Sequence, residues 1–181
     1  MKILTKSLYF FLAIAATLGA CKKDDVKTQS STTGASAKVN ANLYGFDGGS
    51  SGKFVSTKAA ITQASAGGIS TFAVTAIRDG GNESINIVVL KKITATGKIS
   101  FAGDITNGGI TIMKDYTKVS DRTLSYTTDQ NSSTGAKGGG EINITKLDGN
   151  TVEGTFYAIA YNSAGKESFI EQGTFSGTIV Q

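Results

Sequence analysis

Histidine, proline and tryptophan are absent from this chain, and cysteine occurs once, as Cys21. Histidine is the commonest metal ligand and the usual general base near neutral pH. Its absence excludes Ser-His-Asp and Cys-His catalysis and every histidine-carboxylate zinc centre. A single cysteine forms no internal disulfide and no multi-thiolate metal site. Calcium, which takes carboxylate oxygens, is the one metal route that the composition leaves open. The missing indole weakens a lectin reading, because sugar faces often stack on tryptophan. Without proline, turns must come from Gly, Asn, Asp and Ser, and 23 glycines are available to supply them. No run of Lys and Arg with interleaved aromatics occurs past residue 25, which argues against a nucleic-acid partner.

At the N-terminus, Lys2 and Lys6 head an apolar run from Leu8 to Ala20 that closes on Leu18-Gly19-Ala20-Cys21. A basic head, an apolar stretch and small residues before the cut compose a secretory signal peptide. The run is too short to span a bilayer, which takes roughly 20 apolar residues. Its positive flank and the Lys22-Lys23-Asp24-Asp25 string behind it exclude a buried core helix. Leu18-Gly19-Ala20-Cys21 resembles the lipobox of bacterial lipoproteins. That resemblance implies cleavage before Cys21 and acylation of the cysteine on sulfur and on its freed amine. One acyl chain anchors only marginally, at about 0.8 kcal/mol per buried methylene, so two or three on one residue make attachment effectively permanent. Lys2 and Lys6 leave with the signal, which takes two from the 18 basic residues against 14 acidic ones and halves the formal charge of +4 to +2.

The expected organisation is a cleaved signal over 1–20, a lipidated cysteine and tether over 21–37, and one β domain over 38–181. Lys22–Ala37 holds a single valine and no aromatics, the composition of a flexible tether that would span roughly 20–25 Å root-mean-square. From Lys38 onward the apolar period is two, as in Ile85-Ile87-Val89 and Ile142-Ile144. No helical stripe appears outside the signal, so the domain is expected to be all-β. The spacing predicts about ten strands, at 38–46, 57–65, 69–78, 83–92, 97–103, 109–116, 121–128, 138–147, 151–161 and 166–180. Turn signals separate them, among them Asp47-Gly48, Asp79-Gly80 and Asp148-Gly149, which suit hairpin turns with positive φ. The expected architecture is an antiparallel meander, either a closed or nearly closed, lipocalin-like barrel or a flattened β-sandwich. Closure would bury both terminal edges. It calls for pairing of 38–46 with 172–180, with Phe175 and Ile179 in the core.

Few residues offer chemistry. Gly48–Lys53 imitates a phosphate loop but has Asp47 in place of the first glycine and Phe54 where Ser or Thr must ligate magnesium. It reads as a glycine-rich hairpin loop. Glu141, Glu153, Glu167 and Glu171 are candidates for paired acid–base work, with Glu141 and Glu153 close across a hairpin and two carboxyls needed about 5–10 Å apart. Solvated strand-face charges are the ordinary reading. Tyr157, Ile159 and Tyr161 share one face of a strand whose other face carries Phe156, Ala158 and Ala160. Tyr157 and Tyr161 are the candidate ligand contacts, against ordinary packing. Asp129–Gly140 has no apolar residue larger than Ala136 and reads as a mobile loop, its last glycines able to begin the next strand.

Two further resemblances bear on place and family. Cys21-Lys22-Lys23-Asp24-Asp25 resembles the surface-export signal of Bacteroidota-type lipoproteins, with Lys23, Asp24 and Asp25 at the matching positions. It implies outer-membrane anchoring with transfer to the outer face. Gly140-Glu-Ile-Asn-Ile-Thr-Lys146, Val152-Glu-Gly-Thr-Phe156 and the closing Gly173-Thr-Phe175 resemble a family of small β-rich lipoproteins of unknown function. This likeness covers roughly 138–181, with a looser echo at Val39–Phe46, and implies a fold without implying catalytic residues.

The sequence therefore points to a non-enzymatic, surface-tethered β domain that binds a ligand, glycan or partner protein. It would need no cofactor beyond the acyl lipid on Cys21. The alternatives are an accessory subunit of an outer-membrane assembly and a carboxylate-based glycan hydrolase.

Overall fold

The structure, a computed structural model, describes residues 37–102 and 105–181. Leu18, Gly19, Ala20, Cys21, Lys23, Asp24 and Asp25 lie outside the described residues. The period-two segments form ten strands: β1 (Ala37–Phe46), β2 (Gly49–Ala66), β3 (Ile69–Ile77), β4 (Ser84–Val89), β5 (Gly97–Phe101), β6 (Gly108–Met113), β7 (Ser125–Thr127), β8 (Gly139–Asp148), β9 (Thr151–Tyr161) and β10 (Glu167–Val180).

Eight of them pair in an antiparallel ring. Going round, β1 is followed by β2, β3, β4, β6, β7, β9 and β10, and β10 returns to β1. The sheet is a closed barrel and not an open sandwich. β8 and β5 extend it sideways, because β8 pairs with β9 over 151–159 and β5 pairs with β8. β7 meets β9 only at Thr127 and Tyr161. The meander is thus interrupted twice: the chain leaves β4, makes β5 on the far side of β8 and returns to pair β6 with β4, and it later passes from β7 to β8, outside β9, before β9 joins β7.

First and last strands pair as closure requires, but in a different register from 38–46 with 172–180. Lys38 lies opposite Ser176 and Phe46 opposite Ser168. The end of β10 instead runs parallel to β2, Ile179 beside Ile61. Phe175 and Ile179 are both in the core.

Three segments differ from the sequence expectation. The stretch Gly49–Ser56, expected as loop, is the first half of β2, because its backbone pairs with β1 directly after the two-residue turn Asp47-Gly48. Both turn residues have positive φ (57° and 82°), the backbone of a hairpin turn whose twist matches the strands. The expected strand 121–128 shrinks to β7, since Asp121 accepts from the Thr123 N–H and starts a 3-10 turn over Arg122–Leu124. Asp129–Gly138 is tied down by a bridge between Asn131 and Lys137 and by Ser132, which accepts from the Ala136 N–H.

Alternation sends one face of each strand inward. Phe72, Phe156 and Phe175 meet inside, with Phe175 6.4 Å from Phe72 and 6.5 Å from Phe156 between ring centroids. Ile61, Val74, Ile87, Ile110, Ile112 and Ile142 pack around them. An eight-stranded ring is just wide enough for side chains to fill, and here they fill it. Polar residues such as Asn40, Thr62 and Thr174 face outward and are exposed. A bilayer-spanning barrel has the opposite polarity.

Candidate functional site

On the outside of β5, β8, β9, β10 and β1, register sets polar side chains side by side across the strands. One row runs Lys98, Asn143, Thr155, Thr174, Asn40. The next runs Ser100, Glu141, Tyr157 and then Gln172 and Asn42. A third holds Lys146, Glu153, Ser176 and Lys38.

A β-bulge shapes the middle of this face. The β10–β9 register shifts between Ile170 and Gly173, so that Glu171 and Gln172 both point outward. Gln172 takes φ 52° there, a left-handed backbone that is rare outside glycine. Bulges re-aim side chains, and this one sends the Gln172 side-chain carbonyl to accept from the Asn42 amide at 2.9 Å. Opposite the bulge, β1 also turns two consecutive residues outward, Asn42 and the half-buried Leu43. Two open hollows result. One, of about 370 Å³, is lined by Asn42, Glu141, Thr155, Tyr157, Gln172 and Thr174 above a floor of Gly173 and Phe156. The other, of about 470 Å³, is lined by Leu43, Ile159, Phe169, Glu167 and Glu171, and shares Tyr157 and Gln172 with the first.

Of the two candidate tyrosines, Tyr157 stands 51 % exposed between the hollows. Tyr161 does not share its surroundings. It is 6 % exposed, and its hydroxyl donates to Glu167 at 3.1 Å. Burial first, then the neighbouring Glu167 carboxylate, raise its pKa above the usual tyrosine value.

Glu141 and Glu153 do not meet across the hairpin. Glu141 lies opposite Tyr157, four residues along β9 from Glu153, roughly 13 Å at about 3.3 Å per residue. Each meets its own lysine, Glu141 with Lys98 at 3.1 Å and Glu153 with Lys146 at 3.2 Å. Glu167 and Glu171 do share the second hollow, with Glu171 exposed. Among the described residues no three carboxylates gather into a group that could hold a metal ion.

A second polar cluster closes one end of the barrel. Asp47, in the β1–β2 turn, accepts from the Tyr126 hydroxyl at 2.9 Å and pairs with Lys114 at 3.2 Å. Lys114 also lies 5.6 Å from the centre of the Phe46 ring. Burial pushes the Asp47 carboxyl up, but the Tyr126 and Lys114 hydrogen bonds outweigh it, and the net shift is downward. Burial and the same bond push Tyr126 well above its usual value. Nearby, Tyr44 donates to Glu83, which also pairs with Arg78 at 3.1 Å. Burial and Glu83 together raise Tyr44. This cluster is saturated with internal partners and fastens the turn to the wall.

No family model, curated protein or solved structure matches the chain.

Proposed function

We propose that this chain is a non-enzymatic lipoprotein, anchored through acylated Cys21 in an outer membrane and carried to its outer side by Lys23-Asp24-Asp25. Its barrel acts as a binding module. The observation that carries this reading is the location of the open space: side chains fill the barrel interior, and two adjoining hollows meet outside it at Tyr157 and Gln172. Ligand sites are concave surfaces with a few convergent polar groups on an apolar base, and this face has both. The tether expected over 21–37 would leave such a face free to meet partners beyond the membrane.

The test uses residues 22–181 as a soluble chain, since the barrel carries its own closed core. The labelled protein is offered to whole cells of the producing species with the gene deleted, and bound label is read by flow cytometry. Binding should be lost in Tyr157→Ala and kept in Thr75→Ala, whose side chain is exposed on β3 beside Asn86 of β4, outside the strands of this face. Absence of binding, or equal binding by Tyr157→Ala, would overturn the proposal.

A further inference from the structure

The ligand class can be read from the chemistry of the same face, so this inference rests on the binding role just proposed. We infer that the outer face of β5-β8-β9-β10-β1 takes a neutral, hydroxyl-rich oligosaccharide laid across the strands.

The charge pattern comes first. The lysines that reach the two central rows are balanced or peripheral: Lys98 pairs with Glu141, and Lys146 with Glu153 in the row beyond. On the side of the first hollow the surroundings of Tyr157 are otherwise amide and hydroxyl, Asn42, Thr155, Gln172 and Thr174, with Asn40 and Asn143 along the next row; Glu167 and Glu171 lie on its other side, in the second hollow. Each of these amides and hydroxyls both donates and accepts, and so does a sugar hydroxyl. The charges left over are of both signs and lie at the margins, Lys38 on β1 and Lys53 on β2 against Glu167 and Glu171 in the second hollow, so the face as a whole favours neither an anion nor a cation.

A protein partner fits less well. Protein interfaces place aromatic and apolar anchors at their centre and lose affinity when polar groups are covered without partners. Here the exposed apolar side chain of Ile159 lies to one side, in the second hollow, while the rows beside the first hollow are polar and their one large exposed aromatic is Tyr157. A pyranose ring has the complementary make-up: an apolar C–H face for the tyrosine ring and equatorial hydroxyls for the amides beside it.

Geometry agrees. Adjacent strands lie about 4.8 Å apart, a spacing comparable to one sugar unit, so a chain along a row would present one residue to each strand. The Asn42–Gln172 bond holds both amides at the wall of the first hollow, which lowers the entropy lost on binding. The bulge that creates the hollow is fixed by backbone pairing on either side, at Ile170 and Gly173.

The experiment has two arms on the same soluble chain. In the first, maltohexaose, cellohexaose and mannohexaose are titrated against labelled protein, with hyaluronan hexasaccharide as the anionic control. At least one neutral hexasaccharide should shift the Asn42, Asn143 and Gln172 side-chain amide resonances. Gln172→Ala and Asn143→Ala should each weaken that binding at least tenfold, and Thr75→Ala should leave it unchanged. Preference for hyaluronan, or no response from any neutral hexasaccharide, would overturn the inference.

In the second arm the cells of the binding assay are treated with periodate, which cleaves vicinal diols, or with protease. Loss of Tyr157-dependent binding after periodate, with survival after protease, is the expected result. Loss after protease alone would reject the glycan and leave the binding role standing. No binding to untreated cells would remove the binding role itself.

Discussion

Phe175 lies across Gly154, and Phe156 lies across Gly173. The two Gly-Thr-Phe triplets pair antiparallel, with Gly173 opposite Phe156, Thr174 opposite Thr155 and Phe175 opposite Gly154. Each glycine makes room for the other triplet's ring. A Cβ on Gly173 would come within 2.7 Å of the Phe156 ring, and one on Gly154 would collide with the Phe175 ring. Glycine weakens a strand by its lost entropy, so its presence here reflects that close approach. The threonines between them face outward and supply the central row of the proposed site. One short motif, used twice, thus packs the core and decorates the surface.

Gly154→Ala and Gly173→Ala should each destabilise the barrel by about 1–3 kcal/mol, the usual cost of overpacking. Urea denaturation measures this directly. Adding Phe175→Leu to Gly154→Ala should cost less than the two changes separately, because residues in contact are non-additive by about 0.5–3 kcal/mol. Strict additivity would mean that the ring does not rest on the glycine.

Asp47 gives the fold a sensitivity to acid. Its folded pKa is depressed, so its contribution is complete above the unfolded carboxyl value of about 3.9 and is lost as pH falls through the folded value. Asp47→Asn should therefore lower stability at neutral pH and lose less on acidification than the parent, read as urea midpoints from pH 7 to pH 2.5. Identical slopes for the two proteins would show that the carboxylate is not the sensor.

Tyr126 has the opposite sign. Its folded pKa is raised, so stability is intact below the unfolded tyrosine value of about 10 and declines as pH rises towards the folded value. Tyr126→Phe should melt earlier than the parent at pH 8, having lost the bond to Asp47, and should show a shallower decline between pH 9 and pH 11. A parallel decline in both proteins would contradict this.

Much of this architecture is legible in the sequence because a half-buried strand writes its burial as a period of two. Ile85-Ile87-Val89 and Ile142-Ile144 alternate in the chain and in the barrel. Asp47-Gly48 announces its turn chemically. Relations between strands are less visible. Gly49–Ser56 looks like loop because it buries little until Phe54, and only pairing with β1 makes it a strand. Strand β10 reads as alternating throughout, yet its inward residues change parity, from Ser168 and Ile170 to Gly173 and Phe175, across the outward pair Glu171-Gln172. That parity change is the local signal of the bulge.

The site divides in the same way. Tyr157 is readable as a candidate from its exposed position on an alternating strand. Asn40, Asn42, Asn143 and Gln172 are unremarkable in their own strands, and acquire meaning only when register aligns them across five strands. Tyr161 shares the parity of Tyr157 and still turns into a buried setting, since it ends β9, where the partner changes from β8 to β7.

The anchor proposal predicts that Cys21→Ser abolishes incorporation of an alkyne-labelled fatty acid and frees the protein from the membrane pellet or leaves it unprocessed. Retention in the pellet with normal processing would reject the lipobox assignment. Replacing Lys23, Asp24 and Asp25 by alanine should leave acylation intact while protecting the protein from protease added to intact cells. Continued digestion would reject the export role of the triplet.

Closure of the ring sets the last expectation. Removing residues 173–181 takes Phe175 and Ile179 from the core, each of which contributes about 1.5–3 kcal/mol by burial. The same cut removes the strand that β1 pairs with from Lys38 to Ala41, the strand that covers β9 from Thr151 to Phe156, and the link from Ile179 to β2. Val39, Val152 and Ile61, all buried, would face water along an open seam. Domains hold only about 5–15 kcal/mol in total, so these combined losses exceed what the barrel can absorb. The truncated chain should show no cooperative thermal transition and should bind a hydrophobic dye, whereas removal of Gln181 alone should leave the midpoint unchanged. A sharp transition within a few degrees of the parent would mean that the ring does not depend on β10 for closure. The proposed site, whose central row crosses Thr174, would then have to survive without the strand that joins β9 to β1.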